Sequence, residues 1–166
     1  MSKTTIKFGL SPKEIDRAIK ELAVFRRELI RKVDELMQAL TDHGVQVAKF
    51  QIRELDAVYT TELLNSIEGY YSPSWGVGVI KAGAGHAAFV EFGTGVIGQD
   101  SPHPNPGSVG WQYDASNRGK QGWFYFNDND GQVHWTAGYK SRPFMYNTAR
   151  ELEKVCGKIA REVFNR

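Results

Sequence analysis

The chain has 166 residues and a mass of 18.7 kDa, with 41% hydrophobic and 24% charged residues, a composition typical of one globular domain with a single core. The formal net charge of +2 is too small to indicate a nucleic-acid or membrane partner, because strongly electrostatic binders carry a marked basic excess. The single cysteine excludes an internal disulfide, and no apolar run approaches the roughly 20 residues that span a bilayer.

The amino-terminal residues predict a short strand followed directly by a helix. Polarity alternates weakly from Thr4 to Leu10, as in a strand with one apolar side. Ser11-Pro12-Lys13-Glu14 then has the form of a capping box with proline at the first helical position. We expect the Ser11 hydroxyl to accept a backbone amide and Glu14 to reach back to the Ser11 amide. The first five residues lack the apolar region of a signal peptide, so we expect a protein made in the cytoplasm.

A long amphipathic helix is predicted over about residues 12–50. Apolar residues recur from Ile15 to Leu40 at alternating spacings of three and four, interrupted by Arg26. At this length the helix spans on the order of 55 Å, more than one small domain covers. Either it breaks near Gly44 or part of its apolar stripe packs on another subunit. We favour the second interpretation, because long periodic helices often mark partner contacts.

The middle of the chain predicts short elements. Residues 57–67 form a helical pattern, and residues 69–73 and 75–80 read as two strands joined by a tight turn. Residues 84–92 are mostly small and apolar, which predicts a short helix that ends at Gly93.

The carboxy-terminal third predicts a hairpin and a helix. Residues 123–127 and 132–136 are aromatic, period-two strands around a turn at 128–131, where Gly131 supplies a positive φ. The last helix covers about residues 144–164, and its apolar stripe consists of Met145, Ala149, Leu152, Cys156, Ile159 and Val163. We therefore predict one α+β domain over residues 1–166: a long amino-terminal helix, a small, mainly antiparallel sheet of about four or five strands with a short helix, and a carboxy-terminal helix packed on the sheet.

An extended loop is predicted over about residues 93–122. It is rich in glycine and proline and has no clear periodicity, and connections of this length in a compact domain are usually binding loops or disordered. We take this segment as the functional surface. Its candidate intersubunit residues are Gly95, Pro102, His103, Pro104, Trp111 and Tyr113.

The sequence offers no signature of a metal or nucleotide site. The four histidines have no ligand-like spacing, and Cys156 lies on an apolar helix stripe. The turn at 128–131 lacks the later glutamate of a calcium loop, and Gly93-Thr94-Gly95 lacks the third glycine of a dinucleotide fingerprint. We predict no catalytic residue, no cofactor and no bound metal.

Glu91 is the one carboxylate that the pattern places in an apolar setting, between Val90 and Phe92. Burial makes such a group a candidate general base, but no acid, nucleophile or metal ligand stands near it in sequence. We expect its carboxylate to bind loop amides or an arginine such as Arg142. The basic residues around Arg26 are interleaved with acidic ones, which favours a solvated helix face over a DNA-binding one.

Several short motifs in a fixed order carry a family resemblance over about residues 55–160. They are Ala88-Phe89-Val90-Glu91-Phe92-Gly93-Thr94-Gly95, His103-Pro104, Gly122-Trp123-Phe124-Tyr125 and Arg142-Pro143-Phe144-Met145. In combination they resemble the neck and minor tail component family of long-tailed bacteriophages, which includes head-tail joining and tail-completion proteins. In this resemblance the fold-anchoring motif consists of Val90, Glu91, Phe92, Gly93, Arg142, Pro143 and Phe144.

The resemblance implies a non-enzymatic virion protein of the head-tail junction or tail, made in the host bacterial cytoplasm. Proteins of this kind form rings or collars with copies of themselves around the DNA passage, and they dock to other neck, portal-side or tail proteins. We expect only non-specific proximity to packaged DNA and no membrane partner. The alternative is a small phage or prophage hydrolase or nucleic-acid processing enzyme, in which Glu91 meets His103 or His134 and a metal. A third interpretation is a DNA-binding module built on the basic helix.

Overall fold

The computed structural model describes residues 5–57, 61–114, 122–127 and 130–165 and confirms the predicted α+β class. Long helices dominate, and the strands are short. The elements in chain order are α1 (Pro12–Glu54), α2 (Thr61–Asn65), β1 (Ile67–Ser72), β2 (Val77–Ala82), α3 (Ala87–Phe92), α4 (Gly95–Asp100), a 3₁₀ turn (Pro106–Val109), β3 (Trp123–Asn127), β4 (Gln132–Thr136), β5 (Gly138–Tyr139) and α5 (Phe144–Asn165).

Helix α1 is continuous through Gly44, so the break considered there does not occur. Its 43 residues correspond to a length of about 65 Å. Gly44 is buried, and a β-carbon at this position would lie 3.0 Å from Leu152 Cδ1 and closer still to Ile80 Cδ1. The glycine therefore lets α5 and β2 approach α1 closely, which offsets its intrinsic helix cost of roughly 1 kcal/mol.

The start of α1 differs in detail from the predicted capping box. The Ser11 hydroxyl donates to the Glu14 carboxylate at 2.6 Å and does not cap a backbone amide. This hydrogen bond, together with backbone amides nearby, lowers the pKa of Glu14 below its usual range. The Ser11 backbone amide is among those that bind the Glu14 carboxylate, as predicted, so the difference is confined to the Ser11 hydroxyl.

A Schellman motif ends α1. The Ala57 amide donates to the Ile52 carbonyl at 2.9 Å, and the Asp56 amide donates to the Arg53 carbonyl at 3.1 Å. Asp56 has φ of 49°, in the left-handed region that glycine usually occupies at this position. Ala57 and Ile52 are both buried in the main core, which supplies the apolar contact that accompanies this motif.

Helix α5 runs antiparallel to α1 and covers its second half. Near one end, Asn147 donates to the Gln51 side chain at 3.1 Å, and near the other end the Lys32 ammonium donates to the Val163 carbonyl at 2.8 Å. The predicted bounds of this helix are confirmed to within one residue. Ala149, which the sequence pattern puts on the apolar stripe, is exposed, because the packed side of α5 passes through Thr148.

The strands form two separate antiparallel pairs, which corrects the expectation of a single sheet of four or five strands. β1 pairs with β2, and β3 pairs with β4 in the register Trp123↔Thr136 to Asn127↔Gln132. Gly131 has the predicted positive φ, 66°; residues 128 and 129 of the turn lie outside the described residues. β5 contributes only isolated bridges, Thr94↔Tyr139 and Gly95↔Gly138.

Two further expectations change. Residues 5–10 form no strand: Leu10 is 90% exposed and Phe8 is also exposed, so most of the apolar side predicted for this segment is left uncovered. The predicted loop at 93–122 contains α4 and the 3₁₀ turn. Residues 115–121 of this loop lie outside the described part of the chain. The same holds for residues 58–60 of the predicted helix over 57–67 and for Thr4 of the predicted strand. Among the described helices, none is both long and apolar enough to cross a membrane.

Candidate functional site

Glu91 lies at the centre of the motif that the sequence singles out. It is buried on α3, and its carboxylate meets the first turn of α5. Oε2 accepts a hydrogen bond from the Met145 amide at 2.8 Å, and Oε1 accepts one from the Tyr146 amide at 2.9 Å. Helix amides in the first turn have no partner within the helix, and their partial positive charge favours an anion. The carboxylate therefore binds backbone amides, as expected, although the amides belong to α5; among the described residues it makes no ion pair with Arg142.

His103 completes the coordination of Glu91. Its Nε2 lies 3.1 Å from Glu91 Oε1, and its Nδ1 lies 2.9 Å from the Asn105 amide nitrogen. Because a backbone N–H only donates, Nδ1 must accept, and the ring proton is therefore on Nε2, which donates to Glu91. The His103 side chain is 4% exposed, and the Glu91 side chain is 8% exposed. Every polar atom of this pair has a partner.

An aromatic layer closes over the pair. Phe92 stacks on Trp111 with ring centroids 5.1 Å apart. The centroid of its ring also lies 4.4 Å from that of His103. The Trp111 indole N–H donates to the Gly93 carbonyl at 3.0 Å. Tyr146 meets the His103 ring edge-on at 5.4 Å. This layer keeps water from the carboxylate, so its hydrogen bonds act in a medium of low polarity.

The two halves of the fold-anchoring motif lie side by side, although about 50 residues separate them in sequence. The Arg142 amide donates to the Val90 carbonyl at 2.9 Å, and the Ser141 hydroxyl donates to the Glu91 carbonyl at 2.6 Å. Gly93 has φ of 79°, and a β-carbon there would lie 2.7 Å from the Ser141 nitrogen. Pro143 then precedes Phe144, which begins α5 and is fully buried in the core.

The residues proposed for intersubunit contact divide into two groups. Four of them make contacts within the chain: Gly95, His103, Trp111 and Tyr113. The contacts of His103 and Trp111 are described above. The Gly95 amide donates to the Tyr113 carbonyl at 2.8 Å, and the Tyr113 hydroxyl accepts from the His103 amide at 3.0 Å. Pro102 and Pro104 are exposed. The described part of this segment is thus held against the body, and its exposed side is the part open to a partner.

Two other histidines have acidic partners elsewhere in the structure. His134 contacts Asp130 within the second hairpin at 2.7 Å, and His86 lies 3.9 Å from Glu62. No group of three or more potential metal ligands occurs among the described residues. The centre around Glu91 has two saturated polar side chains, and no exposed nucleophile of the described ranges lies at hydrogen-bond distance, so its geometry suits a fixed structural contact.

The amino-terminal half of α1 forms a second distinctive surface. The ammonium of Lys32 is hydrogen-bonded to the end of α5. The 20 residues before it in α1, 12–31, extend about 30 Å further. Seven large apolar side chains between residues 15 and 33 share one side of the helix and are 36% to 59% exposed: Ile15, Ile19, Leu22, Phe25, Leu29, Ile30 and Val33. We call this set the α1 stripe.

Comparison of the chain with protein-family models, with curated proteins and with solved structures finds no match. The geometry of the chain is therefore the basis for any functional assignment.

Proposed function

We propose that this protein is a structural component of a phage virion, at the head-tail junction or in the tail, which associates with copies of itself in a ring or collar and docks to neighbouring neck, portal-side or tail proteins. The observation that carries the proposal is the α1 stripe. An amphipathic helix normally buries its apolar side, and here that side is half open in the single chain. The ordered motifs that resemble the neck and minor tail family indicate the setting.

The size of the α1 stripe fits contact with a second copy. Its seven side chains, each 36% to 59% exposed, leave on the order of several hundred Å² of apolar surface open on each chain. The largest apolar patch of an ordinary monomer covers about 300–600 Å² and is often functional, and two such patches facing each other approach the roughly 1,200 Å² at which stable interfaces begin. Arg26 lies within the stripe and has no ion pair among the described residues, so a partner carboxylate is expected opposite it.

A pair of matched substitutions tests self-association. Leu22→Lys places a charge in the stripe, whereas Val24→Lys places the same charge on the opposite side of the helix, because two residues turn the helix by about 200°. Both positions are exposed to a similar degree, so neither change should unfold the monomer. Light scattering should give a mass above 18.7 kDa for the native chain and for Val24→Lys, and the monomer mass for Leu22→Lys. A strictly monomeric native chain would contradict self-association.

The place of the protein in the virion requires a separate experiment. Particles assembled without it should accumulate as filled heads apart from finished tails in electron micrographs. Complete, infectious particles would rule out the head-tail role while leaving the self-association result untouched. For the exposed side of the 93–114 segment, Val109→Lys tests docking, because Val109 is exposed and the change leaves His103 and Trp111 in place.

One observation favours the alternative, a small hydrolase or nucleic-acid processing enzyme using Glu91. The carboxylate meets His103, as that interpretation requires. The contact is weak support, because the Glu91 oxygens and the His103 nitrogens already bind other groups and are buried. Metal analysis of the purified protein and hydrolase assays of Glu91→Gln distinguish the two interpretations, since only the enzyme loses a measurable turnover.

A further inference from the structure

A cleft of about 380 Å³ lies where the end of α1, helix α3 and strands β3 and β5 meet. Three aromatic side chains line it, Phe89, Tyr125 and Tyr139, and Phe89 is largely exposed. Its polar lining includes Arg142, His86 and Asp56. Apolar walls with a few polar groups, in a volume between roughly 300 and 1,000 Å³, are typical of sites for small ligands and anchoring side chains.

Arg142 is the unusual residue of this cleft. Its backbone is fixed, because its amide donates to the Val90 carbonyl at 2.9 Å. Its side-chain Nε is buried and has no hydrogen-bond acceptor, and within the described part of the chain no carboxylate lies within 4.0 Å of the guanidinium. A buried donor without a partner is costly, and native structures rarely retain one without a reason. Arg142 also lines the cleft, so a ligand bound there meets its positive charge.

The positive guanidinium of Arg142 determines which kind of acceptor suits the cleft. A carboxylate matches the planar fork of a guanidinium and forms short, charge-assisted hydrogen bonds with it. Asp56 also lines the cleft, but it does not reach Arg142 to form an ion pair. It occupies a left-handed position at the carboxy-terminal end of α1, where its conformation and its charge are both locally unfavourable. Residues that break local rules in this way cluster at functional sites.

We infer that the cleft binds a carboxylate carried on a flat apolar body, with Arg142 pairing with the carboxylate and the aromatic walls covering the body. The inference does not depend on the proposed virion role. The same chemistry is presented by a free aromatic acid and by the carboxyl terminus of a polypeptide that ends in an aromatic residue.

The first experiment measures binding of a probe acid by protein-observed NMR or calorimetry. The probe is 3-phenylpropionate, and its amide, 3-phenylpropionamide, is the uncharged control of the same shape. We expect the native chain to bind the acid at least tenfold more tightly than the amide, as expected for a charge-assisted hydrogen bond. Equal binding of acid and amide, or no binding of either up to about 10 mM, would refute the inference.

Three variants locate the interaction. Arg142→Gln should weaken acid binding to the level of the amide, and Arg142→Lys should give an intermediate affinity, because it keeps the charge but loses the fork. Arg161→Gln removes an exposed arginine near the other end of α5 and should leave the affinity unchanged. Circular dichroism confirms that each variant is folded. If Arg142→Gln fails to fold, Arg142→Lys and the acid–amide comparison still decide the question; unchanged binding by either Arg142 variant would overturn the assignment.

A second arm identifies the source of the carboxylate. A tripeptide ending in phenylalanine is compared with the same peptide carrying a carboxy-terminal amide. Tighter binding of the free-acid peptide than of 3-phenylpropionate supports a polypeptide terminus as the natural occupant. Binding of 3-phenylpropionate without binding of the peptide supports a free small acid. Neither result depends on Leu22, so this test and the self-association test fail independently.

Discussion

Removing the Glu91 carboxylate is the most informative perturbation of this fold. Glu91→Ala leaves three donors without an acceptor: the buried His103 Nε2–H and the partly buried amides of Met145 and Tyr146. An unsatisfied buried donor costs about 1–3 kcal/mol, and water entering the vacated space offsets part of this. We therefore expect a loss of about 3–6 kcal/mol in the free energy of unfolding, a large fraction of the roughly 5–15 kcal/mol of a typical domain.

Glu91→Gln should have a smaller effect, for a geometrical reason. The amide oxygen can take the place of Oε1, which accepts from Tyr146 and His103, while the NH₂ group then faces the Met145 amide. One hydrogen bond and the negative charge at the start of α5 are lost, which corresponds to about 2–3 kcal/mol. The expected order of unfolding free energies is native, then Glu91→Gln, then Glu91→Ala.

Urea unfolding followed by circular dichroism measures these differences, with Glu153→Gln as the control. Glu153 forms only an exposed ion pair with Arg150, so its change should stay within about 0.5 kcal/mol. Amide hydrogen exchange supplies a local readout: protection of the Met145 and Tyr146 amides should fall more than that of the middle of α5. If Glu91→Ala costs less than about 1 kcal/mol, the carboxylate does not hold the start of α5 and the structural assignment of Glu91 fails.

Four further substitutions test local features of the fold. Asp56→Gly should raise the urea midpoint of unfolding by an amount equivalent to about 1 kcal/mol, because glycine adopts the left-handed conformation without strain and removes a carboxylate from the end of α1; an unchanged or lower midpoint would contradict this. Thr94→Val should raise the melting temperature by about 2–4 °C, since the buried Thr94 hydroxyl has no partner, whereas Thr136→Val should lower it, because that hydroxyl is hydrogen-bonded; shifts of the same sign would refute the distinction. Ser11→Ala should return the pKa of Glu14 towards its usual value in an NMR titration, because the Ser11 hydroxyl is the main cause of the lowering. A carboxyl group whose pKa is lowered on folding stabilises the fold above its unfolded pKa and ceases to do so as the pH falls through its folded pKa. The stability difference between Ser11→Ala and the native chain should therefore be present at neutral pH and disappear in acid.

Local sequence patterns identified most of the regular elements correctly. The hairpin strands at 123–127 and 132–136 and the last helix are where period and turn chemistry placed them. These patterns depend on neighbours in sequence, so they can be read without knowledge of the rest of the fold. The strand expected before α1 failed because alternation alone does not supply a partner strand or a surface to pack on.

Arrangement between elements was harder to predict. The register of the second hairpin places Phe124 opposite Trp135 and Phe126 opposite Val133, and all four side chains are exposed. An aromatic strand pattern does not reveal whether its second side meets a core, a partner or solvent. Two separate hairpins instead of one sheet follow from the same limitation, because strand pairing across the helical segment at 87–100 is a tertiary property.

The binding partners of Glu91 show where local sequence reasoning stops. An acidic residue that caps a helix is recognisable when it lies within the first turn of that helix, as in a capping box. Glu91 caps a helix that begins 53 residues later in the chain, and His103 joins it from a third segment. The order of the motifs in the sequence associates the segments around Glu91 and Arg142, but it gives no physical reason for their association. The hydrogen bonds supply the reason, because the carboxylate satisfies donors that α5 cannot satisfy itself.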